Sequence, residues 1–225
     1  MTQAQRRSRS RSAILAAAAH AIAREGYHGM SMRELARATG LGLGSSYAHF
    51  ASKEDILYAL QSEAFDALIE SAEQALSRDD DPVRKLHAFI LSHLRFFAAH
   101  PDLMRVLVQE AGALPPKKRA AIRERKERYF ALARSVLEVV VEFGCGRGGA
   151  RPEGRGDDEL ERATYALFGM LNWVYGWYEP RRHGSPEVLA DTFHRITLCG
   201  AVAICPARSE YQPLPQVALA TGGAS

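Results

Sequence analysis

The sequence predicts an all-α fold of about nine helices, and three observations favour it. Apolar residues recur at helical spacing along most of the 225-residue chain. Residues that typically begin helices precede these segments, and glycine or proline follows them. No segment shows four or more residues of strand-like alternation bounded by turns. With 47% hydrophobic residues, the chain is able to bury a core.

The first three helices are predicted to be short and closely spaced. The first begins at Ser12 and ends at Gly26, because glycine is typical of helix C-termini. The second covers residues 32 to 39, since Ser31 and Glu34 form a capping-box pattern ahead of it. Gly40 ends this helix, and a third must begin almost at once. Two helices joined by so short a turn predict a helix-turn-helix.

The six later helices are predicted from their caps and breaks. Ser52 caps a long fourth helix, and Pro82 stands at the first position of a fifth. Further boundaries fall at Pro101, at residues 115–116, in a glycine-rich loop near residues 144–158, and at Ser185, while one helix runs from Asp158 to Tyr178. We expect a basic arm and helix-turn-helix domain over residues 1–52, a larger helical domain over residues 53–205, and a disordered tail over residues 206–225.

Positive charge is concentrated at the N-terminal end of the chain. Residues 1–53 carry eight Lys and Arg against two Glu, a net charge of +6. The whole chain has a net charge of +3, so the remaining residues sum to −3. A basic end on a slightly acidic body indicates an anionic partner, most commonly nucleic acid. Four arginines ahead of the first helix are expected to form a flexible basic arm: Arg6, Arg7, Arg9 and Arg11.

The cysteines and the N-terminal segment bear on the cellular compartment. Cys145, Cys199 and Cys205 form no CxxC pair and no metal-ligand spacing, so neither a disulfide framework nor a zinc site is predicted. The N-terminal segment imitates a twin-arginine signal, with an arginine pair, an apolar run and an A-x-A ending. The helical pattern continues past His20 and favours a helix of the folded domain instead. No stretch reaches the roughly 18 apolar residues of a membrane span, and we expect a cytoplasmic protein.

Residues 39–50 read TGLGLGSSYAHF, and several kinds of site share features with this stretch. A dinucleotide-binding loop needs a preceding strand and a third glycine where Ser45 stands, and a phosphate-binding P-loop needs a lysine that is absent. Ser45 and His49 lie four residues apart, but the motif contains no carboxylate to orient the histidine for catalysis. Plain packing of Tyr47 and His49 is a further alternative. Helical context on both sides favours the turn and recognition helix of a helix-turn-helix.

Residues 14–57 resemble the DNA-binding domain of TetR-family transcriptional regulators. The matching features are AREGY at the end of the first helix, S-x-R-x-L-A from Ser31, the glycines at 40 and 44, and Y-x-H-F-x-S-K-E from Tyr47. The resemblance implies a dimer that binds palindromic operator DNA. The residues expected to contact or closely approach that DNA are Ser31, Arg33, Gly42, Leu43, Gly44, Ser45, Tyr47, His49 and Lys53.

Three positions depart from the family pattern. Gly42 replaces a usual serine cap, at a cost of only a few tenths of a kcal/mol. Ser46 replaces the Leu or Ile that usually anchors the recognition helix to the core. Leu43 stands where polar residues are common, and we hypothesise that it contacts a thymine methyl group.

Residues 166–180 and 184–200 resemble the last two helices of a TetR subgroup associated with lipid and sterol breakdown, in which acyl-coenzyme A thioesters are frequent effectors. The resemblance implies that these helices pack against their counterparts in a second subunit as a four-helix bundle. Trp173 and Trp177, four residues apart, are expected on one face of a helix. The residues predicted for the dimer interface are Phe168, Asn172, Trp173, Tyr175 and Trp177.

The middle helices are predicted to enclose an apolar ligand pocket that a few polar groups complete. Arg134 either faces this pocket or extends along a solvated helix face, and both alternatives remain open. The predicted ligand-binding residues are Phe89, Phe97, Leu103, Leu107, Glu110, Phe130, Arg134 and Leu137.

The sequence therefore favours a dimeric repressor that a small lipophilic effector, such as an acyl-CoA thioester, releases from operator DNA. The alternative is a drug-sensing repressor of an efflux system. An enzyme carrying a helix-turn-helix is disfavoured, because the larger domain shows no nucleophile–base set and no paired carboxylates. No cofactor or metal is predicted. Whether the ligand releases or promotes DNA binding is left open.

Overall fold

The computed structural model describes residues 2–110, 112–144 and 155–203. Within these ranges every regular element is helical, which confirms the all-α class. The predicted tail over residues 206–225 lies outside them, as do Cys145 and Cys205. The helices are α1 (Gln3–Gly29), α2 (Met32–Thr39), α3 (Leu43–His49), α4 (Lys53–Leu76), α5 (Pro82–Ala99), α6 (Pro101–Gln109), α7 (Pro116–Gly144), α8 (Arg155–Trp173), α9 (Pro180–His183) and α10 (Pro186–Ala203).

The described helices number ten rather than nine, and the difference arises after α8. The predicted helix from Asp158 to Tyr178 ends at Trp173, where the chain tightens into a 3-10 turn, Val174–Gly176. The backbone N–H groups of Trp177 and Tyr178 both donate to the Val174 carbonyl, at 3.2 and 2.9 Å. The four-residue α9 then follows. Trp173 and Trp177 therefore do not share one helix face, which corrects that prediction.

Helix α1 begins ahead of the predicted start at Ser12. Thr2 and Gln5 form a capping box, in which the Gln5 N–H donates to Thr2 Oγ1 at 3.2 Å and the Thr2 N–H donates to Gln5 Oε1 at 2.8 Å. The arginines expected in a flexible arm lie instead on the first turns of this helix, so the prediction of an arm is wrong. Arginine and glutamine have good helix propensity, which explains the extension. Gly26, with φ of 74°, kinks the helix near its end.

Caps position α2 and α3. The Glu34 N–H donates to Ser31 Oγ at 3.3 Å and the Ser31 N–H donates to Glu34 Oε2 at 3.1 Å, which confirms the capping box. Gly40 adopts φ of 66°, in the left-handed region that favours glycine, and turns the chain toward α3. Gly42 precedes α3 without a side-chain cap.

The later helices form a larger bundle on which the first three rest. Helices α4 and α10 both pack against α5 and α7, and α1 packs against α4 and α6. Leu86, Phe89 and Ile90 of α5 and Leu137 of α7 are almost completely buried where these helices meet. One continuous apolar core thus joins the N-terminal helices to the bundle. Among the described residues, no helix combines the length and the apolar character needed to cross a membrane.

Candidate nucleic-acid interface and ligand cavity

The residues predicted to contact DNA lie on α2, the turn, α3 and the start of α4. Leu43 and Tyr47 of α3 are 38% and 49% exposed, a large apolar and aromatic surface for a seven-residue helix. Such surface side chains are available to a partner. Of the predicted set, Arg33, Gly42, Leu43, Gly44, Ser45 and Tyr47 are exposed, and Ser31, His49 and Lys53 are half-buried.

Helix α3 is held against the core by Ser46 and Phe50. Ser46 is 0% exposed, and its hydroxyl lies 3.5 Å from the Gly42 carbonyl of its own helix. Its small side chain buries less apolar area than a Leu or Ile at this position would. Phe50, 5% exposed, follows the helix, and its N–H donates to the Ser46 carbonyl at 3.0 Å. The apolar anchoring of α3 therefore falls mainly on Phe50 at its C-terminal end.

The arginines of α1 divide into two kinds. Arg6 and Arg7 are exposed on the first turns. Arg11 instead pairs with Glu63 of α4, and its guanidinium lies 5.3 Å above the ring of Phe50. The hydrogen bond with Glu63 raises the pKa of Arg11. Arg11 therefore fixes α1 to α4, whereas Arg6 and Arg7 present positive charge to solvent.

Tyr27 is the centre of a polar cluster, the Tyr27 cluster, that also contains Glu54, Gln61 and Glu110. Its side chain is 3% exposed, and its hydroxyl donates to Glu54 Oε1 at 2.8 Å. Its backbone N–H donates to Glu110 Oε1 at 2.9 Å, and Gln61 Nε2 donates to the Glu110 carbonyl at 3.1 Å. Burial, and then the bond to Glu54, raises the pKa of Tyr27. The cluster thus ties α1, the start of α4 and the end of α6 together.

Lys53 packs on the same cluster. Its ammonium lies 4.7 Å from the centroid of the Tyr27 ring, a cation–π contact. Hydrogen bonds from the backbone and from Tyr27 hold the pKa of the neighbouring Glu54 below its usual range. The beginning of α4, shortly after the end of the helix-turn-helix, is therefore fixed by charge and hydrogen bonding as well as by packing.

A cavity of about 320 Å³ lies within the larger bundle. This volume is at the lower end of the range for small-molecule sites. Its wall is mostly apolar and aromatic and draws on α4 to α8. The lining residues are Phe65, Leu68, His93, Phe97, Leu107, Val108, Lys126, Tyr129, Phe130, Tyr165, Phe168 and Asn172.

His93 and Tyr129 form a buried polar pair in the cavity wall. His93 is 1% exposed and Tyr129 3% exposed, and His93 Nδ1 lies 3.0 Å from the Tyr129 hydroxyl. Burial lowers the pKa of His93 to about 3 and raises that of Tyr129, so both side chains are neutral at pH 7. Lys126 lies 5.7 Å from the centroid of the Phe65 ring, and burial lowers its pKa.

The lining of this cavity and the predicted ligand-binding set share three residues and differ at five. Phe97, Leu107 and Phe130 belong to both. Phe89 and Leu137 are instead buried core residues. The two predicted polar residues lie elsewhere: Glu110 belongs to the Tyr27 cluster, and Arg134 pairs with Asp157 at 2.9 Å. Leu103 lines a second cavity.

The second cavity, of about 450 Å³, lies between α1 and helices α4 to α6. Its wall is rich in alanine and contains Leu103, Phe96 and Leu60. His20 of α1 and Asp102 of α6 are paired beside it at 2.9 Å. This space follows the seam between the N-terminal helices and the bundle.

The predicted dimer residues separate into two groups. Trp173 and Trp177 are 63% and 37% exposed. Phe168 and Asn172 are half-buried and line the first cavity, and Tyr175 packs against the core. Two large apolar residues of α10 that sequence reasoning did not single out, Val188 and Ile196, are also exposed, each by 54%. Helices α8 and α10 thus both carry large exposed apolar side chains.

An exposed helix-turn-helix on a helical bundle that contains an apolar cavity defines a DNA-binding transcriptional regulator. Two family models match the chain. Residues 14–60 match "Bacterial regulatory proteins, tetR family", and residues 79–201 match "Tetracyclin repressor-like, C-terminal domain". The chain belongs to the TetR family of bacterial regulatory proteins.

Two named relatives indicate the regulated chemistry of similar proteins. The fatty acid metabolism regulator protein of Bacillus subtilis is 28% identical over 131 residues, which are 58% of this chain and 68% of that protein. The HTH-type transcriptional repressor KstR2 of Mycobacterium tuberculosis is 25% identical over 191 residues, 84% of this chain and 92% of that protein.

Solved structures with the same fold include TetR-family regulators. The TetR-family regulator PfmR of Thermus thermophilus is 30% identical with a TM-score of 0.70, over 83% of this chain and 97% of that one. AibR, solved in complex with isovaleryl coenzyme A and operator DNA, is 24% identical with a TM-score of 0.69, over 83% of this chain and 97% of that one. At that identity the likeness to AibR establishes the fold alone.

Proposed function

We propose that this regulator is a homodimeric repressor that binds a palindromic operator and is released by a small lipophilic acyl effector. Residues 1–52 form its DNA-binding domain, and residues 53–205 bind the effector and the second subunit. The two copies of α3 enter successive major grooves, about 34 to 36 Å apart. The exposed side chains Leu43, Ser45 and Tyr47 then face bases and phosphates. We expect the protein in the cytoplasm, where operator DNA is found.

The observation that carries this proposal is the path from the cavity to the helix-turn-helix. Leu107 and Val108 line the cavity near the end of α6. Glu110, directly after α6, accepts a hydrogen bond from the Tyr27 backbone and another from Gln61. An effector that displaces the end of α6 must therefore strain or break bonds that hold α1 and α4. Because α4 begins just after the recognition helix, this displacement changes the distance between the two helix-turn-helix domains of the dimer.

The cavity chemistry supports an acyl effector. Aromatic and aliphatic side chains dominate the lining, which suits a hydrocarbon chain. The names of the relatives point the same way: one regulates fatty acid metabolism, and AibR has been solved with a coenzyme A thioester. A complete coenzyme A is too large for about 320 Å³, so only the acyl end of such a ligand enters the cavity.

The proposed subunit interface is the face of α8 and α10. Trp173 on α8, together with Val188 and Ile196 on α10, presents exposed apolar surface. An exposed tryptophan accompanied by exposed aliphatic side chains on a neighbouring helix is typical of an interface anchor. Packing this face against its copy forms a four-helix bundle and buries surface that a monomer leaves in water.

The proposal is tested with operator sites selected from a random DNA library by the purified protein. The selected sites should be palindromic, and binding measured by fluorescence anisotropy should weaken steeply with salt. A medium-chain acyl-CoA should release the labelled operator, whereas coenzyme A alone and an unrelated nucleotide should not. Release by planar drug-like cations with no response to acyl compounds would instead support the efflux alternative. Failure to select any DNA site would contradict the proposal as a whole.

A further inference from the structure

Among the described side chains that line the first cavity, His93 carries a buried polar atom without a hydrogen-bond partner. His93 is 1% exposed, and within the described part of the chain its Nε2 has no hydrogen-bond partner. The rings of Phe97 and Phe168, which line the same cavity, lie 4.5 and 6.2 Å from the His93 ring. Buried polar atoms are nearly always hydrogen-bonded, because leaving one unpaired is costly. An unpaired Nε2 on a side chain that lines the cavity therefore points to a ligand that completes it.

Tyr129 determines what His93 offers to that ligand. Its hydroxyl lies 3.0 Å from Nδ1, and burial keeps the phenol protonated and the imidazole neutral. A neutral imidazole carries a proton on one nitrogen only. We assign the tautomer in which the phenol donates to Nδ1, because a phenol O–H is a stronger donor than an imidazole N–H; the remaining proton then lies on Nε2, which is a hydrogen-bond donor. The matching group on a ligand is an acceptor oxygen in an otherwise apolar molecule.

Lys126 adds a positive charge to the same wall. It lies one helical turn before Tyr129 and Phe130 on α7, and its Nζ lies over the Phe65 ring at 5.7 Å. Among the described residues, it forms no ion pair with a carboxylate. A half-buried ammonium that rests on an aromatic ring is placed to meet an anionic group of a ligand.

We propose that the cavity binds a compact acyl group, with the carbonyl oxygen of the ligand accepting a hydrogen bond from His93 Nε2. This inference rests on the proposed function, because it names the chemistry selected by the same cavity. The free acid and its thioester share this carbonyl. In the free acid, the second carboxylate oxygen pairs with the Lys126 ammonium. In the thioester, the coenzyme extends out of the cavity past Lys126. A volume of 320 Å³ equals that of about ten liquid waters, which limits the acyl group to about ten non-hydrogen atoms.

The test compares three ligands by isothermal titration calorimetry on the full-length protein: butyryl-CoA, S-butyl-CoA and butyrate. S-butyl-CoA keeps the chain and the coenzyme but replaces the carbonyl with a methylene group. We expect butyryl-CoA to bind about tenfold more tightly than the thioether, because the thioether leaves Nε2 unpaired. In His93→Phe the two affinities should become equal within about twofold, while His93→Gln, which keeps an N–H donor, should retain part of the preference.

Further arms separate the ligand sources. If the effector is the free acid, Lys126→Met should weaken butyrate binding at least tenfold; if it is the thioester, butyrate should bind much more weakly than butyryl-CoA. Affinity along a series of acyl-CoA chain lengths should rise to about eight carbons and then stop rising. If His93→Phe fails to fold by circular dichroism, the comparison of the two coenzyme A ligands on the natural protein still decides.

The outcomes distinguish this inference from the function on which it rests. If butyryl-CoA binds and releases operator DNA but S-butyl-CoA binds equally well, the role of His93 is overturned and the repressor function stands. If no acyl compound in the chain-length series binds or changes operator affinity, the proposed effector class fails and this inference fails with it. A tenfold carbonyl preference that survives in His93→Phe would also overturn the assignment of the donor.

Discussion

Replacing Glu110 with alanine should both destabilise the protein and uncouple the cavity from DNA binding. The Glu110 carboxylate accepts the backbone N–H of Tyr27 at 2.9 Å, in a part-buried position directly after the Gly26 kink. A hydrogen bond to a charged group is worth about 1.5 to 3 kcal/mol. For a chain of this size each kcal/mol lowers Tm by about 2 to 4 °C. Glu110→Ala should therefore lower Tm by about 3 to 12 °C in a thermal unfolding scan followed by circular dichroism.

Coupling between the sites is measured on the same variant. Allosteric coupling energies are typically about 1 to 3 kcal/mol, similar to the bond removed. We expect the effector to bind Glu110→Ala within about twofold of its normal affinity but to change operator affinity much less. Glu110→Gln keeps an acceptor oxygen and should lose only about 1 kcal/mol. Gln109→Ala, at the exposed last residue of α6 beside Glu110, should change stability by less than about 0.5 kcal/mol. An unchanged Tm, or an effector response of unchanged size in Glu110→Ala, would refute the reasoning.

Three further predictions follow from single positions. Leu43→Ala, which removes an exposed apolar contact from α3, should relax base preference at one position per operator half-site and cost about 1 kcal/mol there, so an unchanged profile in DNA selection would count against a thymine contact. Trp173→Glu should weaken dimerisation by at least about 2 kcal/mol in sedimentation equilibrium, and a dimer of normal affinity would rule this face out. In the folded state the pKa of His93 is lowered to about 3, and in the unfolded state it has its ordinary value of about 6.5. Between these values the unfolded state binds more protons, so the free energy of unfolding should fall as the pH is lowered below about 6.5. At pH 5 the free energy of unfolding measured with urea should be about 2 kcal/mol lower than at pH 7. His93→Phe should lose this pH dependence, and an unchanged dependence in the variant would show that His93 is not its cause.

The local signals in the sequence predicted the starts of several helices correctly, because capping depends on neighbours along the chain. The capping box at Ser31 and Glu34 is present, and Ser52 and Asp81 cap the helices predicted to follow them. The start of α1 was missed because its capping box, at Thr2 and Gln5, precedes a run of alternating Ser and Arg that resembles a loop. Helix propensity and a cap outweigh that composition.

The cavity could not be predicted to the same depth because its lining depends on how helices are rotated against one another. Phe130 and Leu137 lie on the same helix, yet Phe130 lines the cavity and Leu137 is buried in the core. His93 carries no local signal beyond its place between apolar residues, at four-residue spacing from Phe89 and Phe97. Its pairing with Tyr129 could not be predicted from the sequence, because only the packing of α5 against α7 brings the two rings together.

Two groups of polar residues in the bundle have different roles, and in the proposed mechanism one ligand couples them. His93 and Tyr129 line the cavity and are buried and neutral, and we propose that His93 binds a ligand oxygen there without a change of charge. Glu110 and Tyr27 lie outside it, where a carboxylate accepts a backbone N–H and holds α1. Leu107 and Val108 of α6 connect the two groups, because they line the cavity and lie just before Glu110, which accepts the backbone N–H of Tyr27 on α1. In the proposed mechanism, an acyl chain that fills the cavity therefore acts on the helix-turn-helix domain through packing, and the hydrogen bonds of the Tyr27 cluster set how much of that displacement reaches the recognition helix.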